Sequence, residues 1–159
     1  MPLLPPSTNA EYRGAAASAH FLTVVSLLTI VPGCIHRFLP DGGAGTIAGL
    51  DLNQNGRVVV ALFAWVGATQ IAFGLAMLVV SLWYRTLVPL MLALVIVERT
   101  LHALAAWVPP KAPHHPPEHY AVLVALPLLT AALVFSLRER ADVSAGQRSR
   151  GSQRGTSAR

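Results

Sequence analysis

The chain has 159 residues, of which 53% are hydrophobic and only 12% charged, with a formal net charge of +5. A soluble domain carries roughly twice that charged fraction, so the composition argues against a soluble globular protein. Of the 12 basic residues, the arginines at 138, 140, 148, 150, 154 and 159 all follow Leu137, so the excess positive charge sits in a tail and argues against nucleic acid as a partner.

The apolar residues fall into four long runs, about 15–35, 58–82, 87–108 and 120–137. A bilayer core needs about 20 mostly apolar residues per helix. The expected fold is therefore all-α: a four-transmembrane-helix bundle over residues 15–137. It is preceded by a cytoplasmic segment, 1–14, and followed by a disordered arginine-rich cytoplasmic tail, 138–159. Four spans put both termini on one side. Arg13, Arg85 and the tail arginines collect there, against Arg37, Arg57 and Lys111 on the other. The excess of Lys and Arg marks the cytoplasmic face, so N and C termini are expected in the cytoplasm of a cell whose inner membrane holds the protein. The Ala/Arg/Gly/Pro bias suggests a bacterial plasma membrane.

The first span carries His20, Thr23 and Ser26 at a spacing of three and reaches Val31-Pro32-Gly33-Cys34. That tetrapeptide resembles a lipobox, but further apolar spans follow it. The Pro-Gly pair is expected to end or kink the helix. Cys34 is the sole cysteine, which excludes an intrachain disulfide. The loop from His36 to Arg57 is rich in glycine, and Thr46 to Leu52 is expected to form a short helix on the membrane surface.

The second span contains Gly67, Gln70 and Gly74 on one face. Small residues let a neighbouring helix approach closely, and an amide can hydrogen-bond across the seam. After a short turn at Trp83-Tyr84-Arg85-Thr86, the third span carries Glu98, Arg99 and His102. A charge at the centre of a membrane helix costs about 2.5–3.5 kcal/mol on insertion scales, so intramembrane ionisable groups are functional candidates by default. Glu98 and His102 are four apart and share a face. Counting from the turn at 1.5 Å per residue puts Gln70 level with Glu98, and Gly67 nearly opposite His102. The expectation is a polar layer in the hairpin of spans two and three, with room for a ligand beside Gly67 and Gly74. Glu98 and His102 are the acid–base (catalytic) candidates, and Gln70, Arg99, Gly67 and Gly74 the ligand-binding candidates. A structural ion-pair cluster is the alternative role for the same residues.

The last span is led by a loop that holds His114, His115, Glu118 and His119 between prolines and has Pro127 and Thr130 midway along. His115-Pro116-Pro117-Glu118-His119 has the H-x-x-E-H spacing of inverted zinc peptidases, but that motif needs a helix through both histidines, which the prolines forbid. Other imidazole and carboxylate groups share that side, His36, Asp41 and Asp51 among them. No spacing guarantees the four ligands zinc takes, and no metal site is assigned. Walker, dinucleotide, CxxC, G-x-S-x-G and haem-attachment motifs are all absent, and the sequence names no cofactor.

Spans two and three resemble the DoxX-like small membrane proteins. The likeness lies in the Gly-rich run Gln70-Ile71-Ala72-Phe73-Gly74-Leu75-Ala76-Met77-Leu78, the short turn with Arg85, and the apolar third span that reaches His102. It covers about half the chain. The acidic residue usual in that second span is replaced by Gln70, and Glu98-Arg99 is not a family feature. The resemblance implies a four-helix bundle of the bacterial inner membrane, in a group some of whose members serve quinone-coupled or redox-stress complexes. The sequence thus points to an intramembrane polar pocket for a small amphiphilic ligand, a quinone or lipid, or to a redox-accessory subunit. The alternatives are a membrane-embedded enzyme acting on a lipid or isoprenoid, and a noncatalytic subunit of a homo- or hetero-oligomer.

Overall fold

A computed structural model describes residues 3–108 and 115–138. Tail residues 139–159, together with Lys111 and His114, lie outside the described residues. Those described are helical, in the order α1 (Ala16–Phe38), α2 (Gly56–Trp83), α3 (Val88–Trp107) and α4 (Pro117–Leu137), with single 3-10 turns at Asn9–Glu11 and Arg85–Leu87. All four α-helices are long and apolar enough to cross a membrane. Their outward faces carry exposed Val24, Leu28, Trp65, Leu90, Leu101 and Val124. A helix satisfies its own backbone polar groups, which is what permits such faces to meet lipid. The four spans fit a multi-pass integral membrane protein.

Two elements differ from the sequence expectation. Residues Pro32 and Gly33 neither end α1 nor stop it early: the helix runs on to Phe38. Pro32 lacks the N–H that would bond the carbonyl four residues back, but the neighbouring turns are held against α2. The stretch 46–52 is not a helix. Its chain folds as consecutive turns, with Ala48 N–H bonding Gly43 O at 2.9 Å and Leu50 N–H bonding Ala44 O at 2.9 Å. Asp41 organises the start of this loop by accepting from the N–H of Gly43 and of Thr46, each at 2.8 Å. Those bonds hold its carboxyl below the ordinary value of 3.8.

Helices α1 and α2 pack antiparallel along their lengths, and α3 packs chiefly on α4. The α1–α2 seam is built on small residues. A Cβ added at Gly33 would lie 3.0 Å from Gln70 Cβ and 3.0 Å from Gly67 O. Thr23 Oγ1 donates to Ser81 Oγ at 2.9 Å farther along the same seam. Contact between α2 and α3 is comparatively slight, so the hairpin of spans two and three is not the main packing unit. Apolar runs that lack a polar face carry no signal for which neighbour a helix chooses.

The two ends of the bundle are built differently. At one end, the turn end, Ala19, Leu22, Met77, Val80, Val88, Leu92, Val95, Leu129 and Ala132 form a continuous buried core. The N-terminal segment closes this end. Helix termini leave their last carbonyls without helical partners, and here each is supplied. The carbonyl of Val80 accepts from Tyr84 N–H at 3.0 Å and that of Trp83 from Thr8 N–H at 3.0 Å. That of Ser81 accepts from Arg85 Nε at 3.1 Å and that of Leu82 from Asn9 Nδ2 at 2.6 Å. Ala15 N–H also bonds Phe135 O at 3.2 Å, which ties the segment to the end of α4. Residues called a plain leading segment from sequence are thus a structural clasp.

Candidate functional site

The opposite end of the bundle, the loop end, holds a cavity of about 360 Å³ between the α1–α2 and α3–α4 pairs. Its polar lining is His36 from α1, Gln70 from α2, Arg99 and His102 from α3, and Glu118 and His119 from α4. Apolar walls come from Phe63, Val66, Ala105, Ala106 and Val122. Arg99 stands eight residues before the end of α3 at Trp107, about 12 Å along the axis at 1.5 Å per residue. It lies inside the span and not at its rim.

Arg99 is the structural centre of this end. Its Nη2 donates to Thr29 Oγ1 on α1 at 3.2 Å, and Thr29 in turn donates to Val25 O at 2.9 Å. Its Nε lies 3.1 Å from Glu98 Oε2. That contact is ionic, because Glu98 Oε2 is enclosed without a well-directed hydrogen bond. The second carboxylate oxygen, Oε1, stands 3.2 Å from His102 Nδ1. One carboxylate therefore serves both neighbours, and the neighbours, not the carboxylate, line the cavity. A carboxylate oxygen accepts, so Nδ1 is the protonated nitrogen of His102, and in that tautomer of the ring Nε2 is the remaining acceptor.

His36 is fixed in the same way. Its Nδ1 lies 2.7 Å from the carbonyl of Gly42, which can only accept, so Nε2 is again the remaining acceptor. The ring stacks edge-on against Phe63 at 5.0 Å between centroids. Gly42 has φ +62°, and a Cβ there would come within 3.0 Å of Phe63 Cβ. Only glycine combines that backbone with that approach. Where α3 ends and α4 begins, Trp107 stacks on His115 at 4.3 Å with the rings 6° from parallel. His115 Nδ1 lies 3.1 Å from His119 Nδ1, and Trp107 Nε1 donates to His119 O at 3.2 Å. His115 precedes α4, whose first residue is Pro117, so this pair is a helix-entry cluster and not a two-histidine helix face. Among the described residues no three His, Cys, Asp or Glu side chains group as a metal site.

Four of the sequence candidates meet here, and two do not. Gln70, Arg99 and His102 line one cavity, with Glu98 directly behind them. Gln70 contributes an amide whose Oε1 is enclosed and has no donor. Gly67 and Gly74 are spent on helix packing. A Cβ at Gly67 would lie 2.6 Å from Gly33 O and 2.8 Å from Arg37 N, and one at Gly74 would meet Ile30 and Ser26 of α1. The room expected beside them is filled by α1. Sequence reasoning missed Thr29, although it continues the His20, Thr23, Ser26 stripe by one more step of three. It also missed His36, because α1 was expected to end before it.

The chain matches no family model, no curated protein sequence and no solved structure.

Proposed function

We propose that this chain is a multi-pass protein of a bacterial inner membrane, termini in the cytoplasm, that holds a small amphiphilic ligand such as a quinone or lipid in its loop-end cavity. The carrying observation is that Gln70, Arg99 and His102, chosen from sequence as intramembrane polar groups, line one cavity of about 360 Å³ with His36 and His119. Ligand sites are typically clefts of about 300–1,000 Å³ with apolar walls and a few placed polar groups. At the low end of that range the cavity admits a head group and leaves a tail to the membrane. The DoxX-like resemblance of spans two and three is in keeping with a redox-accessory role for such a complex.

The test is native mass spectrometry of protein extracted in mild detergent. A stoichiometric small molecule should accompany the wild type and be absent from the double variant Glu98→Gln/Arg99→Gln, which removes both charges together. Protein free of any small molecule in the wild type, or equal occupancy in the variant, overturns the proposal. A second reading draws on the 3.2 Å contact between Glu98 and His102, in which the carboxylate orients an imidazole for acid–base chemistry. Chemical conversion of the bound molecule by wild type but not by His102→Ala would select that enzyme reading.

A further inference from the structure

The cavity's hydrogen-bonding inventory says which head group suits it. Four lining groups act as acceptors. His36 and His102 have Nδ1 engaged at 2.7 Å and 3.2 Å, so in the tautomer that each contact selects Nε2 is the acceptor left. Gln70 Oε1 lacks a donor, and Glu118 adds a carboxylate. On the donor side stand the Gln70 amide N–H groups and Arg99, the latter already engaged through Nε with Glu98 and through Nη2 with Thr29. Its Nη1 remains for an acceptor, since a guanidinium carries five N–H donors.

The charge balance excludes a second class. Among the described residues the only lysine or arginine that lines the cavity is Arg99, and Glu98 lies 3.1 Å from it. Glu118 contributes a further carboxylate to the lining. A phosphate would enter a site whose cation among the described residues is already paired, and like charges disfavour it.

We infer that the cavity takes a neutral head group bearing hydroxyls, which donate to Gln70 and the histidine Nε2 atoms while one oxygen accepts from Arg99. This rests on reading the cavity as an amphiphile site. Two sources share that chemistry, a glycerol-type diol and an aromatic diol, and the apolar walls of Phe63, Val66 and Val122 suit either.

The experiment uses full-length protein in zwitterionic phosphatidylcholine nanodiscs at neutral pH, with equilibrium binding measured for five probes. They are 1-monodecanoylglycerol, decyl hydroquinone, their hydroxyl-free counterparts (methyl decanoate and decyl dimethoxybenzene), and decyl phosphate. At about 1 kcal/mol per net hydrogen bond, two lost hydroxyl donors correspond to a drop of roughly 30-fold. The expected result is that at least one diol binds at least tenfold tighter than its hydroxyl-free counterpart and tighter than decyl phosphate. The diol that wins names the source. Equal binding of diol and counterpart, or tightest binding by decyl phosphate, overturns the hydroxyl inference and leaves the amphiphile site standing. No binding by any probe, together with ligand-free protein in native mass spectrometry, overturns both. All comparisons are made on the wild type, so no variant need fold.

Discussion

Substitution of Gly67 by alanine tests the α1–α2 seam that carries both His36 and Gln70. The added methyl would lie 2.6 Å from Gly33 O, 2.8 Å from Arg37 N and 2.8 Å from His36 Cβ, where ordinary contact begins at 3.4 Å. Two of those neighbours are backbone, so the helices must separate by roughly 0.8 Å, and overpacking of this kind costs about 1–3 kcal/mol. Alanine recovers about 1 kcal/mol of helix propensity over glycine. The net expectation is a loss of up to about 2 kcal/mol. At Gly74 the nearest atom is Ile30 Cγ1 at 2.5 Å, the next being Ser26 O at 3.2 Å. Ile30 Cγ1 is the inner carbon of a β-branched side chain that a helix holds in one rotamer, so Gly74→Ala should also cost up to about 2 kcal/mol once propensity is counted. Gly33→Ala, with its closest neighbours at 3.0 Å, should be the mildest of the three. Reversible unfolding by SDS titration from mixed micelles, followed by tryptophan fluorescence, ranks the three. A Gly67→Ala protein at least as stable as wild type, or a Gly33→Ala protein less stable than both others, refutes the close-packed seam.

Other regions give sharper local readouts. Asn9→Ala removes the 2.6 Å bond to Leu82 O and the 3.3 Å bond from Arg85 N–H. At about 1 kcal/mol for each net hydrogen bond it should destabilise by about 1–2 kcal/mol, and hydrogen exchange should quicken at the Arg85 amide. Thr29→Val keeps the shape and deletes the acceptor of Arg99 Nη2; a bond to a charged group is worth about 1.5–3 kcal/mol, and the same SDS titration should register it. In the 39–55 loop, the carboxyl of Asp41 is held below 3.8 by the Thr46 and Gly43 N–H groups. A depressed acid contributes order that is fully present above 3.8 and lost as pH falls through its folded value. Protection of the Gly43 and Thr46 amides from exchange, taken relative to the intrinsic rate at each pH, should therefore be high at neutral pH and fall in acid, whereas in Asp41→Ala it should be low throughout.

How much was legible follows from what kind of signal each feature has. The spans were readable because a bilayer demands long apolar runs, and the observed helices start and end within three residues of the expected ones. Which helices pair was not readable from hydropathy, since spans that are apolar all round have no preferred face. A weaker signal was present: Ser26 and Gly33 on α1, and Gly67 and Gly74 on α2, are each seven apart. Antiparallel packing lays these small residues against each other, so Gly67 and Gly74 face α1 and not a ligand. In the cavity, the sequence brought the right residues to the right depth but could not order Glu98 and Arg99. Adjacent helical residues point about 100° apart, so only one of them can face the cavity. The hydroxyl of Thr29 lies within reach of Arg99, and the arginine turns inward with the carboxylate behind it.

The unequal ends of the bundle explain how an arginine can be kept inside the span. The turn end carries the continuous apolar core and a fully capped α2 terminus, so the helices are fixed relative to one another without help from the polar groups. Breaking a buried ion pair by removing one partner costs about 3–5 kcal/mol, while replacing both partners by apolar residues is often neutral or stabilising. A cluster kept only for stability would therefore gain from becoming apolar. Glu98, Arg99 and Gln70 persist at the end where the core gives way to a cavity, and Gln70 Oε1 is left without a donor there. An amide oxygen enclosed without a donor costs about 1–3 kcal/mol, and an entering hydroxyl can remove that cost. Structural economy alone would predict leucine at position 70, so Gln70→Leu is the decisive variant: it should raise stability in the empty protein while weakening retention of the amphiphile. A variant that is no more stable, yet holds its ligand as well as wild type, would return the layer to a purely structural role.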